Sequence, residues 1–453
     1  MNVRTLASVL RARAVLRGHD RWSRDDLLAY QASALADLRA FAMARSRFYR
    51  DLHRGLTDAP LTALPVVTKA TLMERFDDLV TDRDVRLAEV ERHVSTATVT
   101  DRYRGRYRVS ATGGTTGRRG IFLADPAEWS VILASYGRAY AWAGVEVGVT
   151  HRLRMAVISS TSPTHQSSIV GASVASPFVP TLRLDAAERV TEIVRRLNVF
   201  RPDALVGYAS ILRILAEEQL GGRLSVSPRA VMSASEVLTD DTRERIRLAF
   251  GVLATNVYAA TETAGVASEC RRHHLHRYED LVIAEVVDGE NHPVPDGEWG
   301  EKLLVTALFS RTQPLIRYEL SDRVATSDEM CLDGLPFALL TGIEGRAEEV
   351  VTLAGVVVHP NVFHRVLEGL PVAGWQVIEE GGRLRVLLAG AGTDVDVRGV
   401  AARVVGSLER AGAHGVPVTV EAVATIPRTA LGKAPLVRRE PAPAARVQAQ
   451  SGR

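Results

Sequence analysis

Eleven residues, Ser110-Ala-Thr-Gly-Gly-Thr-Thr-Gly-Arg-Arg-Gly120, carry the densest chemistry in this chain. Their glycines let the backbone curl so that successive N–H groups converge on one anion, while the threonines add hydroxyl donors and Arg118 or Arg119 adds positive charge. The spacing is neither that of a Walker A loop, because Gly-x4-Gly-Lys-Ser/Thr is absent, nor that of a dinucleotide fingerprint. A phosphate-binding loop and a flexible hairpin turn are the two readings this segment allows by itself. Lysine is scarce: of 56 Lys and Arg residues only Lys69, Lys302 and Lys433 are lysines, an arginine excess of the kind a GC-rich genome produces. Each remaining lysine therefore merits attention. Cysteine is scarcer still, with Cys270 and Cys331 alone, which excludes a disulfide framework and fits a reducing, cytoplasmic location.

Four further segments follow the loop in order: Tyr258-Ala-Ala-Thr-Glu262, Arg317-Tyr-Glu-Leu-Ser-Asp322, Gly345-Arg-Ala-Glu-Glu349 and Leu431-Gly-Lys433. Together with the loop they resemble the ordered motifs of the AMP-forming, adenylate-forming ligases. Phe48-Tyr49, Leu64-Pro-Val-Val-Thr-Lys69, Arg201-Pro-Asp-Ala-Leu-Val-Gly-Tyr-Ala-Ser210, Glu269-Cys270 with Leu275-His276 and Glu279-Asp280, and Pro314-Leu-Ile-Arg-Tyr318 are similar to the phenylacetate–CoA ligase and CapK-like branch.

That resemblance implies ATP-dependent activation of a small, aromatic or otherwise compact carboxylic acid. Acyl-AMP and pyrophosphate would form, and the acyl group would pass to coenzyme A or a carrier-protein thiol. It also implies roles residue by residue. Thr112, Gly113, Gly114, Thr115, Thr116, Gly117 and Arg118 would hold the ATP phosphates, with Thr261 and Thr115 near the α-phosphate and Glu262 on Mg²⁺. Asp322 would accept both ribose hydroxyls, Arg346 would lie near the ribose or the phosphates, and Ser235, Glu236 and Tyr258 would frame the adenine. Lys433 would neutralise charge between the carboxylate and the α-phosphate, and Glu348 would be the hinge on which a C-terminal lid turns. The substrate pocket is expected near Ser159 and Tyr208, beside the polar run that ends at His165; His151 and His165 read as ordinary loop histidines. Three positions depart from the motifs: Arg118 stands where a lysine is usual, Glu348 replaces the first hinge aspartate, and Glu319-Leu-Ser precedes Asp322.

The same branch implies a structural metal. Its Glu-Cys, Leu-His and later Cys-x-Cys-Gly correspond here to Cys270, His276, Cys331 and Asp333, a set of two thiolates, an imidazole and a carboxylate suited to tetrahedral Zn²⁺. Two rival functions stay open. One is adenylation with another acceptor or activated group, such as an amine, a hydroxyl or an inorganic oxyanion; the other is nucleotide binding without catalysis.

The elements that must position these groups are α/β. With 453 residues, 46% hydrophobic and 24% charged, and a formal net charge of +3, the chain is long enough for two or three domains. Strands are expected at 155–159, 204–207, 230–234 and 255–259, alternating with helices at 190–197, 211–219 and 241–250, the pattern of a parallel sheet. Segments 283–287 and 302–306 read as antiparallel strands, and a small α+β unit with strands at 383–389 and 418–423 and a helix at 396–408 follows Gly345. A single amphipathic helix is expected over 25–52, capped by Ser23, and a short acidic helix ends at Asp78.

The whole reads as a large N-terminal adenylation domain (1–343) of mixed sheets and helices, opened by a basic segment at 1–24 that resembles a frayed or surface helix. A small, mobile α+β lid (344–438) and a disordered tail (439–453) follow. No apolar run reaches the length of a membrane span, and no arginine run is interleaved with aromatics, so neither a membrane nor a nucleic acid is an expected partner. A homodimer is compatible with the chain.

Overall fold

The computed structural model describes residues 3–112, 119–145, 152–327, 329–344, 351–358, 360–367, 370–372, 374–392, 395–426 and 437–440. Among these, contacts separate two compact units. The larger takes in the described elements up to the strand Leu339–Glu344, and the smaller those from Val351 onward together with Ala187–Val190. No described helix is long and apolar enough to cross a membrane.

The larger unit is built on a nine-stranded mixed sheet. Five strands are parallel and lie in the spatial order Thr181–Asp185, Met155–Ser159, Ala204–Gly207, Ala230–Ala234, Ala254–Ala260. Met155–Ser159 is buried at every position, as expected of a strand covered on both faces. The sheet then continues antiparallel through Ala264–Glu269, Leu275–Arg277, Leu339–Glu344 and Arg323–Ser327. The expected strands and their intervening helices are all present, and 283–287 and 302–306 fall within an antiparallel pair, Val282–Val287 with Lys302–Ala307. That pair accepts a third strand, Tyr318–Leu320.

The glycine–threonine loop joins the arms of a hairpin, Arg108–Ala111 and Ile121–Ala124. Gln313 reinforces it by mimicking a neighbouring strand: it accepts from the Leu123 N–H at 3.0 Å and donates to the Ile121 carbonyl at 3.1 Å. The smaller unit is a four-stranded sheet, ordered Val418–Val423, Arg383–Ala389, Gly374–Glu380, Val437–Glu440, with the helix Val397–Arg410 packing its own apolar face into that unit's core.

Three expectations need correction. The N-terminal segment is no frayed helix: Val3–His19 buries Val9 and Leu16 and ends on a buried His19. The helix expected over 25–52 is two helices, Arg24–Arg45 and Arg47–Leu52. Ser46 sits between them in extended conformation, and its hydroxyl accepts from the Tyr49 N–H. That break turns Phe48 and Tyr49 into the core, where the Tyr49 hydroxyl accepts from the Ile316 N–H at 3.0 Å. Finally, Arg439 and Glu440 belong to a strand rather than to the tail; the remaining tail lies outside the described residues.

Candidate active site

Chain order in the parallel sheet reverses at Met155–Ser159. From it the chain crosses to the edge strand Thr181–Asp185, then returns to Ala204–Gly207 on the other side. Crevices at the carboxyl ends of such strands are where α/β sheets bind ligands. Ser159 and Tyr208 flank this one. The Tyr208 hydroxyl accepts from the Ser160 N–H at 2.9 Å, and Ser159 Oγ accepts from Ser167 at 3.1 Å. Gly207 is required for that approach, because a Cβ there would lie 2.9 Å from the Ile158 carbonyl oxygen. His165 Nδ1 bonds Ser167 Oγ at 2.8 Å, in keeping with a loop histidine, while His151 lies outside the described residues.

Further along the same edge, Ala254–Ala260 ends in the turn that carries Thr261 and Glu262, and the pairing shifts register between Tyr258 and Ala259. Bulges of this kind re-aim side chains beside active sites. Gln166 holds the turn, its amide nitrogen donating to the carbonyls of Ala260 and Thr261 at 3.1 Å each. The Tyr258 hydroxyl donates to Asp322 Oδ2 at 2.8 Å, and burial together with that carboxylate pushes the phenol well above its ordinary range. The Tyr318 hydroxyl donates to Glu262 Oε1 at 3.1 Å. Burial raises the Glu262 carboxyl, opposed by the Lys69 ammonium and the Tyr318 hydrogen bond and assisted by Asp322. Two acidic groups from separate motifs thus meet in one place, each tied to a tyrosine of the other's segment.

Thr112 closes the neck of the glycine–threonine loop. Its N–H donates to the Gly120 carbonyl, and its Oγ1 accepts from the Gly120 N–H, both at 2.9 Å. Gly113, Gly114, Thr115, Thr116, Gly117 and Arg118, and likewise Arg346, Glu348 and Lys433, lie outside the described residues. Arg119 is described and donates to Thr164 Oγ1 at 2.6 Å. Ser235 is exposed with φ +70°, whereas Glu236 turns its carboxylate to the N-terminus of the preceding helix Ala209–Leu220, accepting from the Ser210 N–H at 2.8 Å and the Ser210 hydroxyl at 3.0 Å. Glu236 therefore fixes the loop that would border a base by capping a helix.

Sequence reasoning did not find the small cavity beside Thr261 and Glu262, walled by Phe122, Trp129, Ile132, Phe309 and Leu315. Two polar groups in its wall are engaged with the protein. Glu128 accepts from the N–H and hydroxyl of Thr312, and Gln313 bonds the hairpin, so the space is bounded mainly by apolar surface.

The expected metal ligands also converge. Ligand atoms of Cys270, His276 and Cys331 lie within 4.8 Å of one another, all three buried. His276 Nδ1 donates to the Phe337 carbonyl at 3.0 Å, which fixes the tautomer and leaves Nε2 buried with no hydrogen-bond partner among the described residues. Burial lowers the His276 pKa, keeping the ring in its ligating, neutral form. Burial, with an Asp333 hydrogen bond, pushes the Cys270 thiol up to about 12, so a bound cation would have to displace its proton. Asp333 stands beside the trio, accepting from Arg272 Nε at 3.0 Å. His274, which the sequence reading left out, places Nδ1 3.1 Å from Cys331 Sγ. These donors fit zinc.

No family model matches the chain. Over 380 residues it is 27% identical to a phenylacetate–coenzyme A ligase of Thermus thermophilus, covering 78% of each protein. Over 320 residues it is 24% identical to protein CapK of Staphylococcus aureus, covering 68% of this chain and 64% of CapK, just under two thirds of the latter's length. Among solved structures, 2-hydroxyisobutyryl-CoA ligase in complex with 2-HIB-AMP and CoA superposes with a TM-score of 0.64 at 19% identity, over 94% of this chain and 92% of that one. The same ligase in its postadenylation state gives 0.60, over 93% and 91%. The chain is thus similar in sequence to phenylacetate–coenzyme A ligase and CapK and shares the fold of 2-hydroxyisobutyryl-CoA ligase.

Proposed function

We propose that this protein is an AMP-forming ligase that adenylates a compact carboxylic acid and passes the acyl group to coenzyme A or another thiol. The observation that carries this reading is the meeting of Glu262 and Asp322, each hydrogen-bonded to a tyrosine, where the ordered motifs require them. The acid's carboxylate oxygen attacks the α-phosphorus while the bond to the β-phosphate oxygen breaks, and the electron pair leaves with pyrophosphate. Asp322 offers two acceptor oxygens to the ribose hydroxyls, and Tyr258, held by it, presents a ring to the adenine. Glu262 and Thr261 face the phosphates, with Thr112 to Arg118 as their cradle. Mg²⁺, held by Glu262, would supply countercharge to the phosphates.

Ser159 and Tyr208 border the acid at the strand-order reversal. The similarity to a phenylacetate–coenzyme A ligase supports a compact, aromatic acyl group. The segment from 344 to 438 would act as a lid hinged at Glu348 and bring Lys433 to the carboxylate, while Arg346 would lie near the ribose or the phosphates.

The test is pyrophosphate release across a panel of aromatic and small aliphatic acids, with product masses recorded with and without coenzyme A. Acid-dependent pyrophosphate and a coenzyme A thioester are expected. Pyrophosphate without thioester would move the acceptor to an amine or a carrier thiol, and none with any acid would refute adenylation of an acid.

The paired thiols and the orphaned His276 Nε2 support zinc at Cys270, His276 and Cys331, with Asp333 as the fourth ligand. Protein purified without a histidine tag is expected to hold about one zinc per chain, and Cys270→Ser to lose it together with thermal stability. Less than ~0.2 zinc per wild-type chain by elemental analysis would sink the assignment.

A further inference from the structure

Lys69 is delivered to the active site by a segment far from the acidic motifs in sequence. Leu64 and Val67 are buried, and Val67 joins the three-stranded sheet as a parallel neighbour of Tyr318: its N–H donates to the Arg317 carbonyl, and its own carbonyl accepts from the Glu319 N–H, both at 2.9 Å. The Arg317 guanidinium clamps the approach, donating to the carbonyls of Thr62 at 2.8 Å and Leu64 at 2.6 Å while pairing with Glu285. Arg317 holds φ +51° to do so, a conformation non-glycine residues adopt sparingly.

Thr68 then caps the helix Lys69–Glu74, and Met73 Sδ accepts from the Ile121 N–H on the loop's hairpin at 3.3 Å. Lys69 therefore lies against the neck of the phosphate loop. A Cβ on Gly120 would be 3.4 Å from Lys69 Cδ and 2.9 Å from Thr112 Oγ1. Its ammonium acts on the Glu262 carboxylate, the group that faces the phosphates in the reading above. The loop itself carries Arg118 where its relatives' motif has lysine.

We propose that Lys69 is a phosphate-binding residue, its ammonium pairing with Glu262 when the nucleotide is absent and binding the β- and γ-phosphates of ATP when it is present. The proposal rests on the adenylation reading. A compact ammonium with three donors suits this task, because it can keep one contact to Glu262 and turn the others to phosphate oxygens. Were Lys69 only a counter-ion for Glu262, Lys69→Gln would act through Glu262 alone and weaken ATP no further once Glu262→Gln is in place.

The experiment is calorimetric binding of Mg–ATP, magnesium pyrophosphate and AMP to wild type, Lys69→Gln and Lys69→Arg. Glutamine keeps a polar side chain at this position but carries no charge. It is expected to weaken ATP and pyrophosphate at least ~10-fold while changing AMP by less than ~2-fold, with arginine restoring much of the ATP affinity. Equal losses for ATP and AMP, or an unchanged ATP affinity, would overturn the proposal.

A second measurement needs no variant. With three lysines in the chain, amine acylation read by peptide mass spectrometry isolates Lys69. Mg–ATP and pyrophosphate are expected to protect it and AMP to leave it reactive; equal protection by all three would also overturn the proposal. These readouts separate the two claims. A wild type that binds ATP but releases no pyrophosphate with any acid refutes the adenylation reading, while the ATP-to-AMP ratio still decides Lys69. A wild type that binds no ATP refutes both.

Discussion

Glu262→Gln is expected to lower acid-dependent pyrophosphate release by about 10²- to 10³-fold while leaving AMP binding within about 2-fold. The turn after Ala254–Ala260 places this carboxylate against the Tyr318 hydroxyl, within reach of the Lys69 and Asp322 charges. Glutamine keeps the shape and can still accept from Tyr318, so the substitution removes charge and little else. AMP should still bind, because the groups assigned to adenine and ribose, Tyr258 and Asp322, hold each other at 2.8 Å independently of Glu262.

Stability should move the opposite way. Burial raises the folded-state pKa of Glu262 above its ordinary value, so the charged carboxylate costs stability as pH rises through that range. At neutral pH the glutamine variant is therefore expected to melt at the same temperature as wild type or higher. A loss of activity without a loss of stability marks a site strained for function. Pyrophosphate release within ~3-fold of wild type would remove Glu262 from the machinery.

Much of this architecture was legible in the chain. Strands such as 155–159 and 383–389 announce themselves as apolar runs bounded by turns, because the sheet faces they join are covered. That Tyr258 and Asp322 belong to one site follows from the resemblance to ordered motifs; the hydrogen bond between them does not. What escaped was set by contacts distant in sequence. Ser46 is a capping residue inside an otherwise continuous helical period, so the break shows only once Phe48 and Tyr49 have found the core. Lys69 reads as one lysine in an entry segment until Val67 pairs beside Tyr318, some 250 residues on. The cavity beside Glu262 draws its walls from the hairpin, the helix Pro126–Trp142 and residues 309–315, which no local pattern connects. What anchors the N-terminal surface helix escaped for the same reason. Its arginines interrupt the apolar pattern, and its anchor is a carboxylate 261 positions away from His19.

That anchor carries the other large effect: Asp280→Asn is expected to destabilise the larger unit by about 3–5 kcal/mol. Asp280 is wholly buried and takes a two-pronged contact from Arg138, with Nη1 to Oδ1 at 2.8 Å and Nη2 to Oδ2 at 2.7 Å. His19 Nδ1 meets the same Oδ2 at 2.7 Å, and Arg138 Nη2 donates to the Leu16 carbonyl at 3.1 Å. The guanidinium lies against the rings of Trp142, Tyr278 and Phe337, at 5.1–5.3 Å from their centroids. Burial opposes charge on Asp280, yet Arg138 and His19 outweigh it and hold the carboxyl down to about 2.

Because the folded pKa lies below the unfolded one, the stability this carboxylate contributes is present above pH ~4 and lost as the pH falls toward 2. Asparagine leaves the buried Arg138 with Asp20, 3.2 Å from its Nε, as its carboxylate partner and takes away the two-pronged one, which costs more than the pair itself contributes. Removing both charges, as Arg138→Met with Asp280→Asn, should therefore recover a large part of the loss. Urea unfolding of the two single variants and the double variant measures the coupling. Hydrogen exchange over Val3–His19 in Asp280→Asn should accelerate before the central sheet does, since Leu16 and His19 lose their shared anchor. A cost below ~1 kcal/mol, or exchange rising uniformly across the unit, would show that the helix is held by Val9 and Leu16 packing and not by this charge network.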